Sequence, residues 1–312
     1  MFARDLPAYL DDLLDRVRDD DDGEPDELPV HAEADLDRLA VAVVGVDGQV
    51  CTAGDAEFYY PIQSLSKAVV YGLAIDCVGM EEVLRHIDVE PSGDAFNRIS
   101  LEGGQNRPAN PMINAGALTA HSLVDGHDAE HRFARIRELL SAMAGRELEM
   151  DEDSYRQEMD DAHRNLGIAH MVKALSELPD DPHDVVDGYS RQCALRVSTV
   201  ELARIAATLA NDGVVPGTEE RVLSRQATRH VLSVMLTCGM YDSAGDWVSS
   251  VGIPAKSGVS GGIVGAVPGR GGIATYSPRL DKHGNSTRGQ VAFEHLAVDL
   301  DLHVLRPRHR DE

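Results

Sequence analysis

Lysine is nearly missing from this chain: of its 312 residues four are lysine, against twenty-five arginines. A guanidinium keeps its proton at any working pH, so a chain that avoids lysine gives up almost all its tunable amines. Two of the four survivors stand in Ser64-Leu65-Ser66-Lys67 and Lys256-Ser257-Gly258, where serine acyl-transfer chemistry has use for an amine that can deprotonate. Positive charge is scarce in general. With 53 acids against 29 bases the formal charge is -24, which argues against a surface for nucleic acid or an anionic membrane and leaves a small molecule as the expected partner. Cys51, Cys77, Cys193 and Cys238 form no CxxC pair, so neither a zinc knuckle nor a dithiol redox motif is present, and they read as reduced, mostly buried thiols. The longest apolar run, near Ala68 to Val78, is too short to span a bilayer, and the N-terminus lacks the apolar core of a signal peptide. A cytoplasmic location is the expectation.

An apolar content of 43% over this length is enough for one large domain or two medium ones with buried cores. The acid excess with little lysine also matches proteins of potassium chloride-rich cytoplasm, where salt screens a dense carboxylate surface. Stability rising steeply between low and molar salt would mark such a halophilic protein.

Helical spacing over Leu6 to Val17 ends in the acidic run Asp19 to Asp22. Leu39 to Val46, Asp47-Gly48, then Gln49 to Thr52 reads as a β-hairpin, since Asp-Gly supplies the positive φ of the turn. Beyond Pro61 the pattern turns helical to about Gly79. Helical segments then dominate from roughly Glu81 to Gly213, including Ala134 to Ala144 and Thr199 to Asn211. After a helix over Arg225 to Leu236, β-like runs return at Trp247 to Ile253, Gly262 to Val267 and Gly271 to Tyr276, and a helix from about Gly289 to Leu302 closes the chain. The expected organisation is an acidic N-terminal helical segment (1–35), a sheet domain (36–80 and 214–305), an inserted helical domain (81–213) and a short tail (306–312). The fold class is α+β, an antiparallel sheet covered by helices on both faces, with the active site in the cleft between the two domains.

Ser64 falls in the first turn of a helix, where free backbone N–H groups and the positive dipole end stabilise an oxyanion. Lys67, three residues on, shares its face and can take the Ser64 proton. With four lysines in the chain, Ser-x-x-Lys is expected by chance on the order of 0.2 times. Lys256-Ser257-Gly258 follows an apolar strand and opens onto Gly261-Gly262, where backbone can approach a ligand; its lysine either depresses the pKa of Lys67, orients a substrate carboxylate or is an ordinary turn residue. The stretch Gly258-Val259-Ser260-Gly261-Gly262 also fits a nucleophile elbow. That reading needs a helix next, and Ile263 to Val267 reads instead as a short strand. His127 and His131 have i, i+4 spacing but no wider ligand cluster, so no metal is expected.

The chain resembles the serine-dependent glutaminases, relatives of the β-lactamase and penicillin-binding-protein fold. The likeness runs from about Gly45 to Asn285 through GDAEFYYPIQSLSK, EPSGDAFN, NPMINAGA, His163-Arg164-Asn165-Leu166, CGMYD, PAKSGVSGGI and SPRLDKHGNS. The resemblance implies Ser64 as nucleophile, Lys67 as its base, catalytic contributions from Tyr241 and Lys256, and no cofactor. It places Gln63, Ser64, Asn114, Glu158, Asn165, Tyr189, Tyr241 and Val259 around L-glutamine. A carboxylate at Glu158 suits the ammonium of an amino acid, and Asn114, Asn165 and Tyr189 supply directional hydrogen bonds. Without the resemblance, Glu158 also reads as solvated on an acidic helix and Tyr189 as core. The resemblance also implies that the backbone N–H of Val259 pairs with that of Ser64 as an oxyanion hole and that Tyr241 passes a proton to the leaving ammonia. One departure concerns a pocket tyrosine that the family places just before an Ile-Pro pair: here Glu27 of Glu27-Leu28-Pro29 aligns there. The resemblance further implies a homodimer or homotetramer. Two alternatives are a penicillin-recognising acyl-serine hydrolase and a catalytically silent glutamine-binding protein.

Overall fold

The computed structural model describes residues 5–26, 34–92, 107–176 and 180–306. Helix α1 (Leu6–Val17) carries Leu6, Leu10, Leu13, Leu14 and Val17 on one buried face. Burial contributes about 1.5–3 kcal/mol per large aliphatic side chain, more than twelve residues gain from helix propensity. Strands β1 (Ala40–Gly45) and β2 (Val50–Gly54) form the expected hairpin, with Gly48 at φ +85 in its turn. After β3 (Tyr60–Pro61) a 3-10 turn over Gln63–Ser66 leads into α2 (Lys67–Val78). Six helices follow: α3 (Met80–His86), α4 (Asn114–Ser122), α5 (Ala129–Ala144), α6 (Glu152–Asp160), α7 (His163–Ser176) and α8 (Pro182–Cys193). Asp128, Asp151 and Asp181 each cap the helix that follows by accepting a backbone N–H, and Pro182 in the first turn of α8 gives up no helical bond. Strand β4 (Arg196–Val197) pairs with β3, and α9 (Thr199–Ala210) opens on a reciprocal cap between Ser198 and Glu201. Last come α10 (Arg225–Cys238), α11 (Ala244–Ser250), β5 (Ala255–Ser257), β6 (Gly262–Val267), β7 (Gly271–Tyr276) and α12 (Thr287–Asp299).

Five strands make an antiparallel sheet in the order β2-β1-β7-β6-β5. Its centre is buried on both faces, so β1 reads as an unbroken apolar run although its side chains alternate. Val41, Val43, Ile263 and Ile273 share a core with α1, Trp247 of α11 and Phe293 of α12. Ala40, Ala42, Val264 and Ala274 share another with α2, α9 and α10. Alanine and glycine on this second face let α9 come close: a side chain at Gly272 would meet the Ala203 carbonyl at 2.1 Å. A third core joins Leu118 of α4, Ile168 and Val172 of α7 and Val185 of α8. The α+β class with helices on both faces is as expected. Helix α1, expected as a segment apart, and α9, counted with the helical block, both pack against the sheet.

One expected strand is a helix. Trp247 to Ile253 reads as β from its Trp, Val and Ile content, yet residues 244–250 are helical. Four-residue spacing puts Trp247 and Val251 on one buried side, and the Trp247 indole donates to the Ile253 carbonyl at 2.7 Å. Tertiary packing overrides β propensity there.

Candidate active site

The 3-10 turn that carries Ser64 lies against β5 and the bend after it. A side chain at Gly258 would meet Leu65 Cγ at 2.9 Å, so the Lys256-Ser257-Gly258 strand end sits directly on the turn. The bend closes through the Gly258 N–H to the Gly262 carbonyl at 3.0 Å, and β6 follows it, so the helix a nucleophile elbow requires is a strand instead. Val259 at the tip and Tyr241 from the 3-10 turn Tyr241–Ser243 both flank Gly284. Gln63 at φ +50 and Tyr241 at φ +53 hold left-handed backbone that residues with side chains avoid, and both adjoin Ser64, one in sequence and one in space.

Lys67 is 1% exposed. Its amine donates to Asn114 Oδ1 at 2.7 Å and to the Met112 carbonyl at 3.2 Å. Burial draws it down from 10.5 to about 8, against a weaker upward pull from Cys193 and Glu158. An amine there is within reach of neutrality at physiological pH, as a general base must be. Asn114 is oriented by the same contact: its oxygen faces the amine while its NH2 donates to Asn165 Oδ1 at 3.0 Å. Lys256, fully buried, stands over the Tyr241 ring at 4.2 Å from the centroid and donates to the Ser257 carbonyl. Burial first, then the nearby charge of Lys67, push it well below the usual lysine range.

Burial pushes the Tyr241 phenol up, opposed by its hydrogen bond to Ser64, so this hydroxyl stays protonated beside the serine. Tyr189 is raised well above its ordinary value by burial, then by Cys193 and Glu158. Gln63 donates its side-chain amide to Glu158 Oε1 at 2.9 Å. The structure thus brings together all ten residues singled out from sequence, drawn from five helices, two 3-10 turns, one strand and one bend. Glu27 lies outside the described residues. Cys193 belongs to the same cluster, beside Lys67, Glu158 and Tyr189, and burial pushes its thiol up to about 12, too high to compete as a nucleophile. Its place one helical turn after Tyr189 on α8 was the available signal.

A cavity of about 370 Å³ opens beside the cluster, lined by Met112, Ile113, Cys238, Tyr241, Ala244 and Val248 among others, and shares Tyr241 with it. At the start of α5, His127, Asp128 and His131 bring three ligating atoms within 4.8 Å of one another. There Asp128 Oδ1 already caps the helix, receiving the backbone N–H of His131 at 2.8 Å.

A family model described as glutaminase matches residues 24–305. The chain belongs to the glutaminase family. A glutaminase of Corynebacterium glutamicum is 46% identical over 308 residues, covering 98% of this chain and 74% of that protein. Glutaminase 2 of Bradyrhizobium diazoefficiens is also 46% identical, over 96% of this chain and 48% of its own length. The crystal structure of Mglu in its native form superposes with a TM-score of 0.94 at 44% identity, over 98% of this chain and 75% of that one. YbaS, described as a probable glutaminase, gives 0.94 at 35% identity over 98% of this chain and all of its own. The architecture is the β-lactamase-like fold of the serine-dependent glutaminases.

Proposed function

We propose that this glutaminase hydrolyses L-glutamine to L-glutamate and ammonia through an ester on Ser64. Neutral Lys67 takes the Ser64 proton as Oγ bonds to the side-chain amide carbon. The oxyanion of the tetrahedral intermediate accepts from the N–H groups of Ser64 and Val259, each such donor contributing about 3 kcal/mol. The C–N bond then breaks, Tyr241 protonates the departing nitrogen, and ammonia leaves. Tyr241 recovers its proton from the Lys67 ammonium. Water attacks the ester as its proton passes to Lys67, and the Lys67 ammonium returns that proton to Ser64 Oγ as the ester C–O bond breaks, yielding glutamate, the free serine and neutral Lys67.

Around the reacting amide, Glu158 receives the substrate ammonium, with Gln63, Asn114, Asn165 and Tyr189 completing the hydrogen bonds. Burial, which pushes Lys256 well below the usual lysine range, works against a second fixed charge in the site, and its amine stands over the Tyr241 ring. What carries this reading is Lys67, buried one turn after Ser64 and lowered to about 8. Solved structures of Mglu in a glutamate form fit a product-binding pocket of this type.

Ammonia and glutamate release from glutamine by the wild-type protein and Ser64→Ala tests the assignment. Turnover that disappears in the variant supports the acyl-serine route. Binding without turnover in the wild type supports the silent-binder alternative, and reaction with a chromogenic β-lactam in place of glutamine supports the penicillin-recognising one. We further propose a halophilic, cytoplasmic homodimer or homotetramer. Among the described residues no helix is long and apolar enough to cross a membrane. Sedimentation equilibrium in molar salt reads the oligomer directly.

A further inference from the structure

Gln63 holds a left-handed conformation at φ +50, and such backbone persists only where its surroundings over-determine it. Its side chain is tied to Glu158. Its carbonyl accepts from Ser66 Oγ at 2.8 Å, Ser66 Oγ lies 2.9 Å from Gln192 Nε2, and Gln192 Oε1 lies 3.0 Å from His121 Nδ1. Ser66, Gln192 and His121 are each fully buried, on the 3-10 turn, α8 and α4. No catalytic step above uses any of the three.

The direction of every hydrogen in this chain of contacts follows from the Gln63 carbonyl. A carbonyl only accepts, so Ser66 donates to Gln63. Its oxygen is then the acceptor for the Gln192 NH2, which turns Gln192 Oε1 toward His121 and requires the proton on Nδ1. Burial brings His121 down to about 4, which keeps the imidazole neutral with a single N–H. Room for the ring is made by Gly188, where a side chain would meet His121 Nε2 at 2.4 Å.

A peptide unit is planar and trans, so the carbonyl of residue 63 and the N–H of residue 64 point in opposite directions on one rigid plate. Fixing the Gln63 oxygen therefore fixes the aim of the Ser64 N–H. We propose that His121, Gln192 and Ser66 are positioning residues, a buried relay that holds the Gln63–Ser64 peptide so that its N–H points at the developing oxyanion. The proposal rests on Ser64 being the nucleophile and its N–H an oxyanion donor. It assigns to three interior residues an effect on the transition state that glutamine binding does not share.

Ser66→Ala removes one hydroxyl and leaves the Gln63 carbonyl untethered. Gln192→Glu removes the donor to Ser66 and draws the serine hydrogen away from Gln63. Each is expected to lower kcat by about tenfold to a hundredfold, less than the roughly 10²–10³ of deleting an oxyanion donor, with KM within about twofold of wild type. The pH at half-maximal kcat/KM stays in place, because Lys67 is outside the relay. Ser66→Thr, which keeps the hydroxyl, restores kcat to within about threefold, a recovery that a general loss of packing would not give. Should Ser66→Ala fail to fold, Ser66→Cys, matched in shape and a weaker donor, is read the same way. Unchanged kcat, a rise confined to KM, or a shifted pH profile overturns the relay. Loss of all turnover in Ser64→Ala beside an unchanged Ser66→Ala sinks the relay alone, whereas full turnover in Ser64→Ala sinks the nucleophile assignment and the relay with it.

Discussion

Lys67 is where burial meets the proposed chemistry. Its folded value, about 8, lies below the ordinary 10.5, so the neutral base grows in population as pH rises and is nearly complete about one unit above 8. Initial-rate measurements across pH should show kcat/KM climbing about tenfold per unit below that point and levelling above it. An inflection near 6 would instead indicate a histidine. Lys67→Arg keeps charge and reach but cannot deprotonate, and should lower kcat by about 10²–10⁴-fold with the fold intact by circular dichroism. The proposed nucleophile and its base stand out in the sequence because they sit one turn apart on a lysine-poor chain. Ser66, Gln192 and His121 are not: their link joins positions 66, 121 and 192, and only the packed helices reveal it.

Helix α9 illustrates what an element contributes beyond its own hydrogen bonds. It lies on β7 across Gly272, and its N-terminus is fixed by the Ser198–Glu201 box, whose glutamate also pairs with Arg146 at 3.2 Å through Nη2 and Oε2. Ser198→Ala should cost about 1 kcal/mol in urea denaturation, within the range for lost caps, while kcat at saturating glutamine is unchanged, since the Ser198 hydroxyl accepts the Glu201 N–H of the α9 cap. Elements whose evidence is local were read correctly from sequence, such as the Asp47-Gly48 hairpin and helix α1. Residues 244–250 were not, because the run that resembles a strand is decided by where Trp247 and Val251 find a core. The contact of α9 with the sheet was equally hidden, since the alanines that permit it carry no signal of their partner.

For the whole molecule, the net charge of -24 is the dominant long-range force. Screening length falls from about 10 Å at 0.1 M to about 3 Å at 1 M salt, so self-repulsion among carboxylates weakens over that span. The thermal unfolding midpoint should therefore rise between about 0.1 and 1 M potassium chloride, as differential scanning fluorimetry would show; a flat response would set the halophilic proposal aside. The sheet itself sets a different demand, one of time. Strand β1 lies between β2 and β7, and its Ala40 pairs with Tyr276, near the far end of the chain. At a synthesis rate of about 5–20 residues per second, tens of seconds separate the ribosomal exit of the two strands. Throughout that interval AVAVVG, an uncharged and aggregation-prone hexamer, has one open edge. Asp35 and Asp37 before it and Asp47 after it stand as gatekeepers on the nascent chain, so that the same acidity that burdens the finished protein guards it while it is being made.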